Sequence, residues 1–508
     1  MCEESSEADA MLAPSLDDFL QPLAIDARKV LELSHEFAST FRRLSAESLD
    51  QFLPTPISES ILRPAVRDSG RFLAIDIGGT NLRVGFVELV GEPRSGDGFT
   101  PSSHQLNRLL EQSWPIQEHL KNENSDSLFS WIGERVAQVV REGCETLGIS
   151  RDDELPMGIT FSFPMVQKSL SEAILMPMGK GFAVTSNLDL GGHLLAGYNK
   201  HRTTDMPRIR IAAIANDAVA TLISFVYQFP AQAHQKAAMG LIVGTGCNAT
   251  LPLNLSSLHE SKRPASISVL HDREASDVKI AVNTEWSIRG SAPPLHKFGL
   301  ISRWDTELDQ AGELPGFQPL EYMTAGRYLG ELARLAFLDY YTALGMSAKD
   351  LPGRFRQRFG LTTTFMSHLY PDSPKGPMPS QLEREFPPES PSFQWTPELA
   401  DILFRIAKAI EVRAAGIVAA ATVGLLQCAE EIADAPKARK TELAVGYTGG
   451  CIQHFQNYLA DTQRFIDEIL DLEFSGQAPV RVTLTPCHDG GLTGAGILVP
   501  AALASHTT

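Results

Sequence analysis

No two of the six cysteines (Cys2, Cys144, Cys247, Cys428, Cys451, Cys487) stand at Cys-x-x-Cys spacing. That excludes a disulfide scaffold and the common zinc ribbons, and it suits a reducing compartment. Basic residues are short as well: 44 Lys and Arg stand against 61 Asp and Glu, a formal net charge of −17. A surface of that sign repels phosphate over most of its area, so nonspecific nucleic-acid binding and adsorption to anionic membranes are excluded. Long apolar runs are missing too. The longest weakly polar helical stretch, Ala414 to Ala429, falls short of the ~20 residues needed to span a bilayer. The opening Met1-Cys2-Glu3-Glu4 lacks the basic and apolar regions of a secretory signal. These absences predict a cytoplasmic protein with no membrane insertion, and leave nuclear or organelle-surface association open.

What is present suffices for a folded core. The chain has 508 residues, 43% hydrophobic and 21% charged, a size that suggests about two to three domains. Apolar spacing predicts helix over residues 15–48, with Ser15 and Asp18 as a capping box. The period then changes. Phe72 to Ile77 is a continuous apolar run, Gly78-Gly79-Thr80-Asn81 turns the chain, and a second strand begins at Leu82. Helical and strand patterns alternate from there on, which is an α/β signature. A proline-rich stretch over about 366 to 397 reads as a surface insertion.

One weak repeat stands out. Leu241-Ile242-Val243-Gly244-Thr245-Gly246-Cys247-Asn248 echoes Ile75-Asp76-Ile77-Gly78-Gly79-Thr80-Asn81. Each is an apolar strand entering a Gly/Thr/Asn turn. Glycine after a buried strand lets backbone N–H groups approach a phosphate, but Gly-Gly between strands equally marks a plain hairpin. Two copies suggest two similar lobes facing a shared cleft. No P-loop, protein-kinase signature or GxSxG elbow accompanies them.

Three further features could carry chemistry. The apolar run Ala213-Ile214-Ala215 ends in Asn216-Asp217 before a helical pattern. Either residue could simply cap that helix, or Asp217 could take a proton from a hydroxyl nucleophile. Phe161-Ser162-Phe163-Pro164 precedes Gly179-Lys180-Gly181-Phe182, whose lysine could reach an anion or merely face solvent. Glu285 and Glu321 could accept from sugar hydroxyls or be surface charges.

Taken together, the order and spacing of these motifs resemble the hexokinase family, over nearly the whole chain from residue 15. The resemblance implies an α/β, two-lobed hexokinase-like (actin/Hsp70-type ATPase) fold, with a small and a large domain around a central cleft. Residues 1–69 and 216–487 would form the large domain, and 70–215 with 488–508 the small one. It also implies roles. Asp217 would be the base and Lys180 would stabilise the transferring phosphoryl group and touch the sugar. Ser162, Phe163, Asn216, Asn248, Glu285 and Glu321 would bind the sugar. Gly78, Gly79, Thr80, Asn81, Gly244, Thr245 and Gly246 would form the two phosphate turns, with Arg83 adding positive charge. Gly326, Gly449 and Gly450 would lie beside the nucleotide. No residue would ligate metal directly: Mg²⁺ would arrive with ATP, and Asp76 would order water around it.

The chain departs from the family pattern in places. A typical Thr-Lys-Gly-Phe is Gly179-Lys180-Gly181-Phe182 here, and Glu-Trp-Gly-Ala-Phe-Gly-Asp is Glu285-Trp286-Ser287-Ile288-Arg289-Gly290-Ser291. Val-Asp-Gly-Ser reads Gly446-Tyr447-Thr448-Gly449-Gly450, and Asp-Gly-Ser-Gly-Lys-Gly reads Asp489-Gly490-Gly491-Leu492-Thr493-Gly494. Room gained near Gly179 and Glu285 favours a kinase for N-acetylglucosamine. A glucose or mannose hexokinase and a catalytically weak sugar sensor are the alternatives.

Overall fold

A computed structural model describes residues 14–58, 69–90, 105–117, 119–120, 125–176, 188–229, 234–264, 267, 278–432, 441–487 and 490–505. The chain makes β1 (Leu53–Ser58), then β2 (Gly70–Ile77), β3 (Asn81–Val90), β4 (Gln105–Pro115) and β5 (Leu155–Phe161). A short hairpin, β6 (Met165–Ser169) and β7 (Glu172–Leu175), precedes β8 (Ile209–Ala215). The second half adds β9 (Gln235–Val243), β10 (Cys247–Asn254), β11 (Lys279–Asn283), β12 (Thr441–Thr448) and β13 (Val480–Pro486).

These strands form two main sheets built to one plan. The first runs β4-β3-β2-β5-β8, and the second β11-β10-β9-β12-β13 with β1 added at its edge. In each, an antiparallel hairpin (β2–β3, β9–β10) is followed by two parallel strands (β5 and β8, β12 and β13). Parallel strands must be covered on both faces, which explains their continuous apolar runs. Ala74 to Ile77 and Ala212 to Ala215 are buried accordingly. A helix follows the last strand of each sheet, Asp217–Gln228 after β8 and Gly490–Ser505 after β13, and the two pack against each other.

The helical pattern at the start appears as Leu16–Leu20, capped by Ser15, and Ala27–Glu47, capped by Asp26. The longer of these packs on Pro397–Cys428, a helix long and apolar enough to cross a membrane by composition. In its most apolar window 89% of that helix is buried inside the protein, and it forms the core of the larger lobe.

The proline-rich stretch departs from the surface-insertion reading. It contains the helix Met378–Glu385 and buries Leu382, Phe386, Phe393 and Trp395. Phe386 and Trp395 meet Phe355 edge-on at centroid distances of 5.1 and 5.4 Å, and the indole N–H donates to the Phe386 carbonyl at 2.9 Å. Widely spaced aromatics pack the segment into the core of the larger lobe, which counting prolines does not reveal.

Candidate active site

The cleft gathers the ends of strands from both sheets, outside the carboxyl ends of the parallel strands, the usual place for ligands in such sheets. The β2–β3 turn brings Gly79 and Thr80, and the end of β5 brings Ser162. The end of β8 brings Asn216 and Asp217. The β9–β10 turn opposite brings Thr245, Gly246, Cys247 and Asn248, joined by Glu285 and Glu321. The enclosed volume is about 350 Å³.

Both turns close with a glycine N–H donating forward across the turn, over three residues in the first and two in the second. The Gly78 N–H donates to the Asn81 carbonyl at 2.9 Å, and the Gly244 N–H to the Gly246 carbonyl at 2.9 Å. Asn216 is indeed a helix cap: its side-chain oxygen accepts from Ala218 N–H at 2.9 Å. Its amide also donates to the Phe163 carbonyl at 3.3 Å, so the cap anchors the β8 end to the segment after β5. Asp217, the first residue of that helix, faces the cleft. Capping and a place in the cleft coexist.

The two glutamates are buried, not surface charges. Asn283 donates to Glu285 Oε1 at 2.7 Å, and Asn248 donates to the same oxygen at 3.4 Å. Glu321 lies in the first turn of Pro319–Thr324 and accepts from Cys247 N–H at 3.3 Å. A Cβ on Gly246 would stand 2.9 Å from Glu321 Oε2, so glycine there lets the carboxylate lie against the turn. Burial pushes the neighbouring Cys247 thiol up to about 12, leaving it a neutral wall group.

Asp76, Gly78, Asn81 and Arg83 are not cleft-lining; they support the first turn. Asp76 is buried, accepting from the Thr160 hydroxyl at 2.8 Å and the Arg83 guanidinium at 2.7 Å. Burial holds its carboxyl above the usual range despite those partners. The Phe163 side chain does not reach the cleft either. It is buried against Phe161, centroids 4.7 Å apart, in the core of the smaller lobe. Neighbours in a motif point to opposite sides of the chain, so Ser162 faces the cleft while Phe163 faces the core. Gly179, Lys180, Gly181, Phe182 and Asp489 lie outside the described residues.

A second cavity of about 460 Å³ adjoins the first, and Thr245, Arg327 and Phe359 line both. Gly244, Gly326 and Gly450 line it together with Thr362, Ser367 and His368. Gly449, with φ 118°, lies behind Gly450 against the Val243 carbonyl. Burial and the charges of Lys375 and His454 hold His368 below its ordinary value, favouring the neutral ring. The helix Gly326–Ala343 opens between the two cavities with no side-chain cap, and its first N–H groups are held by the second turn: Gly326 donates to the Gly244 carbonyl at 2.8 Å and Arg327 to the Thr245 carbonyl at 3.4 Å. Sequence reasoning missed Arg358, Phe359 and the lip formed by Leu308, Leu314 and Phe317. Gly326 and Gly450, expected beside the nucleotide, do line the second cavity, while the Thr362-Thr363-Thr364 run on its wall went unread.

Two family models described as hexokinase match residues 15–227 and 238–501. A hexokinase of Emericella nidulans is 26% identical over 503 residues, covering 98% of this chain and 92% of that protein. Hexokinase-1 of Arabidopsis thaliana is 28% identical over 450 residues, covering 87% and 81%. Among solved structures, the hexokinase of Schistosoma mansoni complexed with glucose superposes with a TM-score of 0.75 at 24% identity, covering 96% of this chain and 98% of that one.

Proposed function

The chain belongs to the hexokinase family, and from that premise we propose that it transfers the γ-phosphate of ATP to the 6-hydroxyl of a hexose. The observation that carries this reading is the meeting of Thr80, Thr245, Asp217, Glu285 and Glu321 in one cleft. Phosphoryl transfer asks a protein chiefly to position reactants and stabilise charge. Asp217 accepts the proton of the 6-hydroxyl as that oxygen bonds to the γ-phosphorus and ADP leaves. Glu285 and Glu321 accept from ring hydroxyls, while Ser162, Asn216 and Asn248 complete the sugar's partners. The Thr80 and Thr245 hydroxyls donate to the phosphates, and the second cavity takes the adenosine. Magnesium belongs to the donor substrate, as Mg-ATP, with Asp76 acting on it through water. Lys180 neutralises charge on the moving phosphoryl group. Cytoplasmic residence is part of the same reading, supported by five free cysteines among the described residues.

N-acetylglucosamine is the acceptor we favour. Leu308, Leu314 and Phe317 line the same cleft as the two glutamates, apolar partners that suit an acetamido methyl group. Glucose and mannose compete, since the relatives carry the general name hexokinase. The test is ATP consumption with Mg²⁺ and each of the three sugars. Asp217→Asn should lower kcat by about 10³-fold, within the range for losing a general base, in a protein that melts like the parent. Turnover that survives this substitution removes Asp217 from the mechanism. Preference for glucose removes the acetamido assignment, and sugar binding without turnover leaves a sensor.

A further inference from the structure

We propose that Gln51, far from every motif of the cleft, is a positioning residue that holds Glu285 in its sugar-facing conformation. The inference rests on the reading that Glu285 binds the acceptor. Glu285 has φ 45°, in the left-handed region that a residue with a Cβ seldom occupies. Such a conformation persists only where the surroundings over-determine it. The surroundings here are specific. Gln51 is buried, and its amide donates to the Glu285 carbonyl at 2.9 Å and approaches the Ser291 hydroxyl at 3.4 Å. Beside it, Phe52 N–H donates to the Thr284 carbonyl at 3.0 Å. On the other side, the Ser287 hydroxyl donates to the Cys247 carbonyl in the second glycine turn.

Glu285 is thus gripped by main chain on both flanks while its carboxylate takes the Asn283 amide. Gly290 makes room for the grip, because a Cβ there would stand 1.9 Å from Gln51 Oε1. Removing the amide leaves the Glu285 carbonyl only the longer bond from Ile288 N–H at 3.3 Å, frees the segment to relax from its left-handed turn, and swings the carboxylate away from the sugar. Gln51 itself does not line the cleft. Its effect on the substrate must therefore pass through Glu285.

A double-mutant cycle tests this, read as KM for sugar and KM for ATP and, for binding alone, as the calorimetric dissociation constant of the sugar. Gln51→Leu, which keeps bulk and loses the donor, should raise KM for sugar about tenfold, the loss typical of one buried hydrogen bond. KM for ATP should change less than twofold. In a Glu285→Gln background the same substitution should alter sugar affinity less than twofold, since the carboxylate it positions is gone. Gly290→Ala, pressing on the same amide, should repeat the pattern if Gln51→Leu does not fold. An equal loss in both backgrounds, or KM for ATP rising alongside KM for sugar, overturns the proposal. A parent protein that binds sugar without turnover removes the phosphotransferase reading while the cycle, run on dissociation constants, still decides the role of Gln51. A parent that binds no sugar at all overturns both.

Discussion

The two glycine turns are related hairpins, one residue different in length, set in different surroundings. Each joins the antiparallel hairpin of its sheet, and each closes with a glycine N–H donating across the turn at 2.9 Å. Around the second, the lobe is packed. Gly326 N–H donates to the Gly244 carbonyl at 2.8 Å, Glu321 lies against Gly246, and Gly449 backs onto Gly244. Around the first there is space. A Cβ on Gly79 would meet nothing within 4 Å, although the Thr80 carbonyl accepts from Ile116 N–H at 2.8 Å and Thr80 is exposed just as Thr245 is. A turn built into its lobe can present donors in fixed positions at no reorganisation cost. A turn with few close neighbours acquires most of its partners when ligand and opposite lobe meet it. We therefore expect closure on substrate to carry the first turn onto a floor formed by the second.

The largest effect expected from this difference is at Gly246. Gly246→Ala places a methyl 2.9 Å from Glu321 Oε2 and displaces that carboxylate from the Cys247 N–H. Losing charge-assisted bonds to the sugar should lower kcat/KM for sugar about thirtyfold. The melting temperature should hardly change, because the displaced group is the mobile end of a side chain. Steady-state kinetics with sugar varied check it. A loss confined to KM for ATP would mean that this turn serves the donor alone, and the contrast with the first turn would have to be redrawn.

How much of this was visible in the chain follows from whether a feature is local. The paired turns and Asn216-Asp217 each occupy a few consecutive residues with the strand that precedes them, so pattern alone points to them. The common plan of the two sheets was hinted at by one echo of seven or eight residues. Phe163 was misplaced because a motif does not tell which way alternate side chains point. Gln51 left no signal: its partner, Glu285, lies 234 positions away, and only the pairing of β1 with β11 brings them together. The lip of Leu308, Leu314 and Phe317 was equally silent, since isolated apolar residues look like core until the packing shows a cavity beside them.

A middling effect belongs to the threonines. Thr80 and Thr245 each offer one hydroxyl to the cleft, so each alanine variant should raise KM for ATP about tenfold. The two should differ in what else changes. Thr245 lies in the fixed turn and lines both cavities, so its removal should weaken nucleotide binding to the free protein. Thr80, on the arriving turn, should weaken it only when sugar is present. Nucleotide titrations with and without sugar distinguish them, and equal behaviour in both would erase the asymmetry.

The smallest effect is the most discriminating. Gly79 has open space where a side chain would go and does not sit in the left-handed region. Gly79→Ala should therefore leave kcat/KM within twofold and raise stability by about 0.5 kcal/mol, by narrowing the unfolded chain's freedom. The second half of that expectation depends on the free protein alone, and the first half depends on the closed state. Stabilisation with activity intact means that the space beside Gly79 persists when the lobes close on substrate. Stabilisation with activity lost means that the arriving turn packs as tightly in the closed state as Gly246 does in this structure. The two hairpins would then differ in when they are buried, and no longer in whether they are.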